Sequence, residues 1–215
     1  MDVNYLVIEG NIGAGKTSLA EHIARDLGAR VLLEGFKDNP FLPKFYEDRQ
    51  KYAFPLEMSF LADRYNQLKT SVGELELFSR FVISDYYFAK SLIFARNTLS
   101  ADEFHLYSRF YDIIYDKIPK PDLYVYLHAD TDILLSNIAK RNRTYEQNIG
   151  RDYLERIREG YFYFMNSITE FPVLLIDTAG LDFVENNSDY ELIRSLIFRN
   201  QYKPGINRIP RIKKQ

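Results

Sequence analysis

The stretch from Gly10 to Thr17, GNIGAGKT, follows the β-forming run Tyr5 to Ile8 and leads into a helical pattern from Thr17 to Leu27. Glycine is the costliest residue to order, so a chain clusters glycines where its backbone must approach something closely. The residues Gly10, Asn11, Ile12, Gly13, Ala14, Gly15, Lys16 and Thr17 fit G-x-x-x-x-G-K-[ST], in the strand-then-helix setting that this motif requires. In such a turn successive N–H groups point inward, and the positive end of the following helix adds to their field. That is an environment for the β- and γ-phosphates of a nucleotide such as ATP. Lys16 then neutralises charge on the transferring group, the Thr17 hydroxyl binds Mg²⁺, and Ser18 belongs with the same phosphate-binding set. The competing reading is a glycine-rich turn that binds nothing. The loop specifies a triphosphate and leaves the acceptor open.

Short apolar runs recur at Tyr5 to Ile8, Val31 to Leu33, Phe81 to Ile83, Leu123 to Leu127 and Val173 to Ile176, with helical patterns between them. This alternation predicts an α/β fold: a five-stranded parallel sheet flanked by helices on both faces. Ligands bind such sheets at the carboxyl ends of the strands, which selects Gly10, Glu34, Asp85, the loop after Leu127, and Asp177. The phosphate loop at one strand tip is expected to face the carboxylate of Glu34 at the tip of the neighbouring strand. Residues 1–202 are expected to form a single domain, with a lid at about 139–150, and residues 203–215 a loosely held basic tail.

With a net charge of −2, the chain carries no global field for a polyanion, so nucleic acid is a poor partner and a small-molecule substrate the better one. No apolar stretch approaches the ~20 residues of a membrane span, and the absence of cysteine excludes disulfides, thiolate metal sites and a cysteine nucleophile. A soluble, cytoplasmic protein is the expectation. The 17 Tyr and 16 Phe are expected mostly to fill the core.

Glu34 stands at the end of the second apolar run, in VLLEGFKDNPFL. An alcohol acceptor must lose a proton whereas a phosphate acceptor is already ionised, so a carboxylate there fits a hydroxyl acceptor better than a monophosphate. On spacing alone, a solvated strand-end glutamate explains the residue equally well. Lys140, Arg141 and Arg143 cluster after the amphipathic stretch Asp130 to Ala139. They either complement a helix dipole or form the movable cations that a phosphoryl-transfer lid needs.

Three blocks, EGNIGAGKT at 9–17, EGFKDNPFLPKFYEDRQKYAFPLEMSFLADRY at 34–65 and RNRTYEQ at 141–147, together with DYL at 152–154, resemble the deoxynucleoside kinases, and within them the bacterial deoxyguanosine and deoxyadenosine kinases. The resemblance implies a P-loop kinase fold with an Arg-rich lid, and transfer of the ATP γ-phosphate to the 5′-hydroxyl of a deoxynucleoside with Mg²⁺. It implies that Glu34 is the base, that Tyr46 and Glu146 hold the sugar 3′-hydroxyl, and that Arg141 and Arg143 close over the donor phosphates. Asp182 and Phe183 would border the donor adenine. Asp85 would assist Mg²⁺ through water.

Ala53 to Ser71 has helical spacing, with Pro55 in its first turn, and places Glu57 and Arg64 two turns apart on one face. In the resembled family these positions read the base edge, the first often being Gln. An ionised carboxylate only accepts hydrogen bonds. It therefore suits the adjacent N1–H and N2–H₂ donors of guanine better than the N1 acceptor of adenine, while Arg64 suits guanine O6 or N7. Deoxyguanosine is the favoured substrate on this ground; a solvated Glu and Arg is the alternative.

Three departures stand out: Tyr86 follows Asp85 where the family usually has Arg, Asn137 stands where an Arg often precedes the lid pair, and near Ser91 many relatives have an Asp that helps read the base, a role the resemblance would pass to Ser91. The run YFYFM at 161–165 is apolar around much of a helix, which implies either a homodimer interface, common in the family, or a buried central helix. Two further readings remain open: a thymidylate-kinase-like enzyme acting on a monophosphate, and a non-catalytic nucleotide-binding subunit.

Overall fold

Residues 3–35, 39–73, 81–143, 146, 149–199 and 201–211 are described by the computed structural model of the chain. Among them run six strands: β1 (Tyr5–Gly10), β2 (Arg30–Leu32), β3 (Val82–Ser84), β4 (Leu123–His128), β5 (Pro172–Asp177) and β6 (Gly205–Ile209). The helices are α1 (Lys16–Leu27), α2 (Leu42–Glu47), α3 (Arg49–Gly73), α4 (Ala89–Thr98), α5 (Ala101–Tyr115), α6 (Thr131–Arg141), α7 (Arg151–Ser167) and α8 (Asn187–Arg199).

The strands pair in the order β2-β3-β1-β4-β5-β6, and every pairing is parallel. Because a parallel sheet is covered on both sides, its strands read as continuous apolar runs, and Leu6, Val7 and Ile8 are all fully buried. Alternate residues face opposite layers. Val7, Tyr124, Tyr126, Val173 and Leu175 join the core beneath α3, α4, α5 and α7, whereas Leu6, Ile8, Val125, Leu174 and Ile176 join the one beneath α1, α6 and α8. Most of the aromatic surplus sits in the first layer, where the rings of Tyr87, Tyr124, Phe164 and Phe171 meet at centroid separations near 6 Å.

Three expectations change. The sheet has six strands rather than five, because residues 205–209 of the supposed tail pair with β5 in parallel, from Pro172↔Gly205 to Ile176↔Ile209. The segment GINRI is only half-buried, as an edge strand is, and so lacks the unbroken apolar run that marks the central strands. Second, β3 lies between β1 and β2, so the phosphate loop and Glu34 sit at the tips of next-nearest strands. Third, α3 begins at Arg49, leaving Pro55 inside the helix, where its missing N–H removes one bond of the ladder. Among the described residues no helix is long and apolar enough to cross a membrane.

Candidate active site

The loop between β1 and α1 needs backbone angles that only glycine adopts cheaply, with φ at +83° for Gly13 and +82° for Gly15. Close contacts close the same two positions to any side chain. A Cβ on Gly13 would lie 2.7 Å from the Leu134 carbonyl oxygen of α6, and one on Gly15 would lie 2.6 Å from Cζ of Phe183. Phe183, from the loop after β5, thus packs its buried ring onto the phosphate loop, while Asp182 lies exposed beside it and donates its N–H to Asp189 Oδ2 at 2.7 Å. Further braces hold the loop. Asn11 Nδ2 donates to the Leu154 carbonyl of α7 at 2.7 Å, and Asn137 Nδ2 of α6 donates to the Gly13 carbonyl at 2.9 Å. Asn137, where the sequence lacks a family arginine, is therefore a prop for the cradle.

Lys16 Nζ donates to the Asn11 carbonyl at 2.9 Å, curling over the loop it serves. Burial and the nearby charge of Lys90 pull its pKa down to about 8, against the opposing pull of Glu9, Asp85 and Glu34. Glu9, directly before the loop, is wholly buried. Its Oε1 accepts the Tyr87 N–H at 2.8 Å and its Oε2 the Tyr161 hydroxyl at 2.8 Å. Burial pushes this carboxyl up, and the neighbouring lysines resist.

Asp85, just beyond β3, joins the two halves of the site. Its Oδ2 accepts the Thr17 hydroxyl at 2.5 Å, and its Oδ1 accepts the backbone N–H of Glu34 at 2.9 Å. Among the described residues no group of three or more acidic or imidazole side chains gathers as a metal cage. A hydroxyl and a carboxylate at the mouth of a phosphate loop fit a hard cation whose remaining ligands are phosphate and water.

Glu34 is neither loose nor sealed in, its side chain being 17% exposed. Arg64 Nη2 and Nε donate to its Oε1 at 2.7 and 3.1 Å, and Lys90 Nζ is paired with its Oε2. Burial would raise the carboxyl's pKa, but Lys90 and Arg64 outweigh it and hold the group ionised, well below the usual carboxylate range. Lys90, from α4, is the residue that the sequence reading missed. Its only signal there was a charge set within a buried stretch, Tyr86 to Ser91. Tyr86 itself is fully buried, its hydroxyl donating to Gln67 Oε1 of α3 at 2.6 Å.

Of the residues that the resemblance assigns to the base edge, Arg64 spends its guanidinium on Glu34 and, through Nη1 at 2.8 Å, on Ser91, and so braces the carboxylate. Glu57 is 5% exposed, and among the described residues its Oε2 has no hydrogen-bond partner. Burial lifts its pKa to about 7, partly offset by Arg64 and by a hydrogen bond from Thr98. Burial pushes the phenol of Tyr153, the tyrosine of DYL, up, and Glu57 and Tyr46 add to that shift. Tyr46 sits on α2, 43% exposed, edge-on to Phe45.

In the segment expected to form a lid, α6 ends at Arg141, followed by Asn142 at a left-handed φ of 51°. Arg141 donates through Nε and Nη2 to Glu146 Oε2 at 3.0 and 2.5 Å, and Arg143 Nη1 lies 3.5 Å from Oε1. Glu146 thus meets both lid arginines, where the sequence reading assigns it to the sugar. Residues 144, 145, 147 and 148 of the lid block fall outside the described residues, as do 36–38 of the second block.

A parallel sheet with a phosphate-cradling loop at its central strand tip, arginines at the end of α6 and a carboxylate tied to the loop through Asp85 defines a phosphotransferase of the P-loop kinase fold. More narrowly, the chain belongs to the deoxynucleoside kinase family, matching it over residues 6–200. Members of that family phosphorylate nucleosides. A deoxyguanosine kinase of Bacillus subtilis (strain 168) is 38% identical over 193 residues, spanning 88% of this chain and 93% of the relative. A deoxyadenosine kinase of Lactobacillus acidophilus is 31% identical over 209 residues, spanning 90% and 95%. Among solved structures, the deoxyadenosine kinase from M. mycoides with bound dCTP superposes with a TM-score of 0.75 at 27% identity, covering 91% of this chain and all of that one.

Proposed function

We propose that this chain transfers the γ-phosphoryl group of Mg·ATP to the 5′-hydroxyl of a purine deoxynucleoside, with deoxyguanosine favoured. Glu34 accepts the hydroxyl proton as that oxygen bonds to the γ-phosphorus and the bond to the β-phosphate oxygen breaks, releasing ADP. Lys16, Arg141 and Arg143 neutralise the oxygens of the transferring group, with Arg141 and Arg143 leaving Glu146 as the lid closes. Glu146 and Tyr46 then meet the sugar 3′-hydroxyl. Thr17 and Asp85 would hold Mg²⁺, which when bound supplies charge neutralisation between the β- and γ-phosphates. Asp182 and Phe183 border the donor base.

The observation that carries the choice of acceptor is Glu57, buried with one oxygen unpartnered. A buried acceptor left open costs about 1–3 kcal/mol, and the N1–H and N2–H₂ of guanine satisfy it. A second reading, deoxyadenosine, draws on the same residue: with its pKa at about 7, Glu57 is partly protonated at neutral pH and then donates to adenine N1. A coupled assay of the deoxynucleosides with Mg·ATP tests both. A higher kcat/KM for deoxyguanosine is expected, and equal values for the two purines remove the preference. Lys16→Ala should abolish transfer to every acceptor. We further propose a homodimer through α7, where Tyr163 is 74% exposed; Leu106, Phe110 and Ile113 of α5 are exposed apolar side chains as well.

A further inference from the structure

We infer that Lys90 is a positioning residue for the transfer, a buried cation that fixes Glu34 Oε2 at the mouth of the phosphate loop. The inference rests on the kinase reading given above and concerns a residue for which that reading has no use.

Four observations carry it. Lys90 is 7% exposed, far below what a lysine needs to be hydrated, and a buried ammonium is tolerated only where a counter-charge meets it. That counter-charge is Glu34, whose other oxygen is already taken by Arg64, so the carboxylate is gripped from both sides and cannot rotate. The ammonium also lies 5.2 Å from the centroid of Phe94, one turn along α4, which limits where the chain can swing. Finally, α4 itself is anchored by close backbone approach: a Cβ on Gly160 of α7 would lie 2.8 Å from Ile93 Cγ2, so the helix carrying Lys90 has little room to shift. The charge reaches the phosphate loop as well, since Lys90 is the strongest electrostatic influence on both Lys16 and Glu9.

The consequence is geometric. A general base works only when its lone pair lies within hydrogen-bond reach of the proton it takes, and a carboxylate on a loop, even one mostly buried, has too many rotamers to do so unaided. Arg64 alone leaves Oε2 free to turn. Lys90 removes that freedom and adds its own positive charge, which is felt at Lys16 of the phosphate loop.

The test is a double-variant cycle on the full chain, with kcat, KM and direct binding of the deoxynucleoside measured for Lys90→Met, Glu34→Gln and the pair. Lys90→Met should lower kcat by about 10²-fold, the scale of losing one preorganised electrostatic contact, and leave nucleoside affinity within about threefold. In the Glu34→Gln background it should cost almost nothing more, and Lys90→Arg should restore part of the loss. A kcat within about threefold of the unaltered protein, a nucleoside affinity that falls as far as kcat, or losses that multiply in the pair overturns the inference. Lys90→Gln repeats the cycle should Lys90→Met not fold. Turnover of the unaltered chain on deoxynucleosides is the separate control: its absence sinks the kinase reading itself.

Discussion

Glu34 is tethered to Asp85: its backbone N–H donates to Asp85 Oδ1 at 2.9 Å, while Asp85 Oδ2 takes the Thr17 hydroxyl. One carboxylate thereby sets the distance between the phosphate loop and the base, although β3 separates their strands. In the proposed reaction this gives the metal-facing Asp85 and the proton acceptor Glu34 one shared support.

Replacing Glu34 by Gln removes the proton acceptor and keeps the shape. We expect kcat to fall by about 10²–10⁴ and nucleoside affinity to change little, read by steady-state kinetics and direct binding. A variant that retains full kcat would show that the 5′-hydroxyl needs no base here.

Glu57 gives a pH signature. Its carboxyl, lifted by burial to about 7, is protonated below that pH and donates to adenine N1; above it the ionised group accepts from guanine. The kcat/KM ratio of deoxyguanosine to deoxyadenosine should therefore rise with pH, by up to about 100-fold between about pH 6 and 8, as the ionised-to-protonated ratio of Glu57 does. Glu57→Gln should flatten that dependence and relax discrimination toward adenine. A ratio that stays constant in the unaltered protein would mean that Glu57 does not face the base.

Gly15→Ala probes the cradle. A side chain there must adopt a φ of +82°, costing about 1–2 kcal/mol, and its Cβ meets Phe183 at 2.6 Å. The expected outcome is a lower Tm and an ATP KM raised by at least about tenfold, with only partial recovery in Gly15→Ala/Phe183→Ala, because the backbone penalty remains.

Tyr163→Glu probes the exposed face of α7. If two copies bury this ring, a charge there should convert a dimer to a monomer in light scattering while leaving the far-ultraviolet circular dichroism unchanged. An unaltered chain that is already monomeric ends the dimer proposal.

The sequence made the central machinery legible because each piece has a local signal. The loop is defined by glycines at fixed spacing, the inner strands by continuous apolar runs, and α6 by its period and its terminal cations. Residues whose meaning depends on distant partners were not visible. Glu9 looks like a polar lapse in a strand until Tyr87 and Tyr161, 78 and 152 residues away, are seen donating to it. Lys90 looks like a helix cation until Glu34, 56 residues earlier, is seen against it. Asn137 reads as a lost arginine and proves to brace the Gly13 carbonyl. Strand order is likewise a tertiary property: nothing in the runs at 31–33 and 81–83 says which lies beside β1. The edge strand was mistaken for a tail because half-burial erases the apolar run on which strand recognition depends.

That last strand bears on how the chain may be shortened. Gly205 to Ile209 occupies the outer hydrogen-bonding rim of β5, and cutting the protein after residue 202 would strip it away. The bared rim would offer a row of unsatisfied amides and carbonyls to any passing polypeptide. A truncation that looks harmless on paper would thus produce a sticky molecule, prone to self-association before it ever loses its fold.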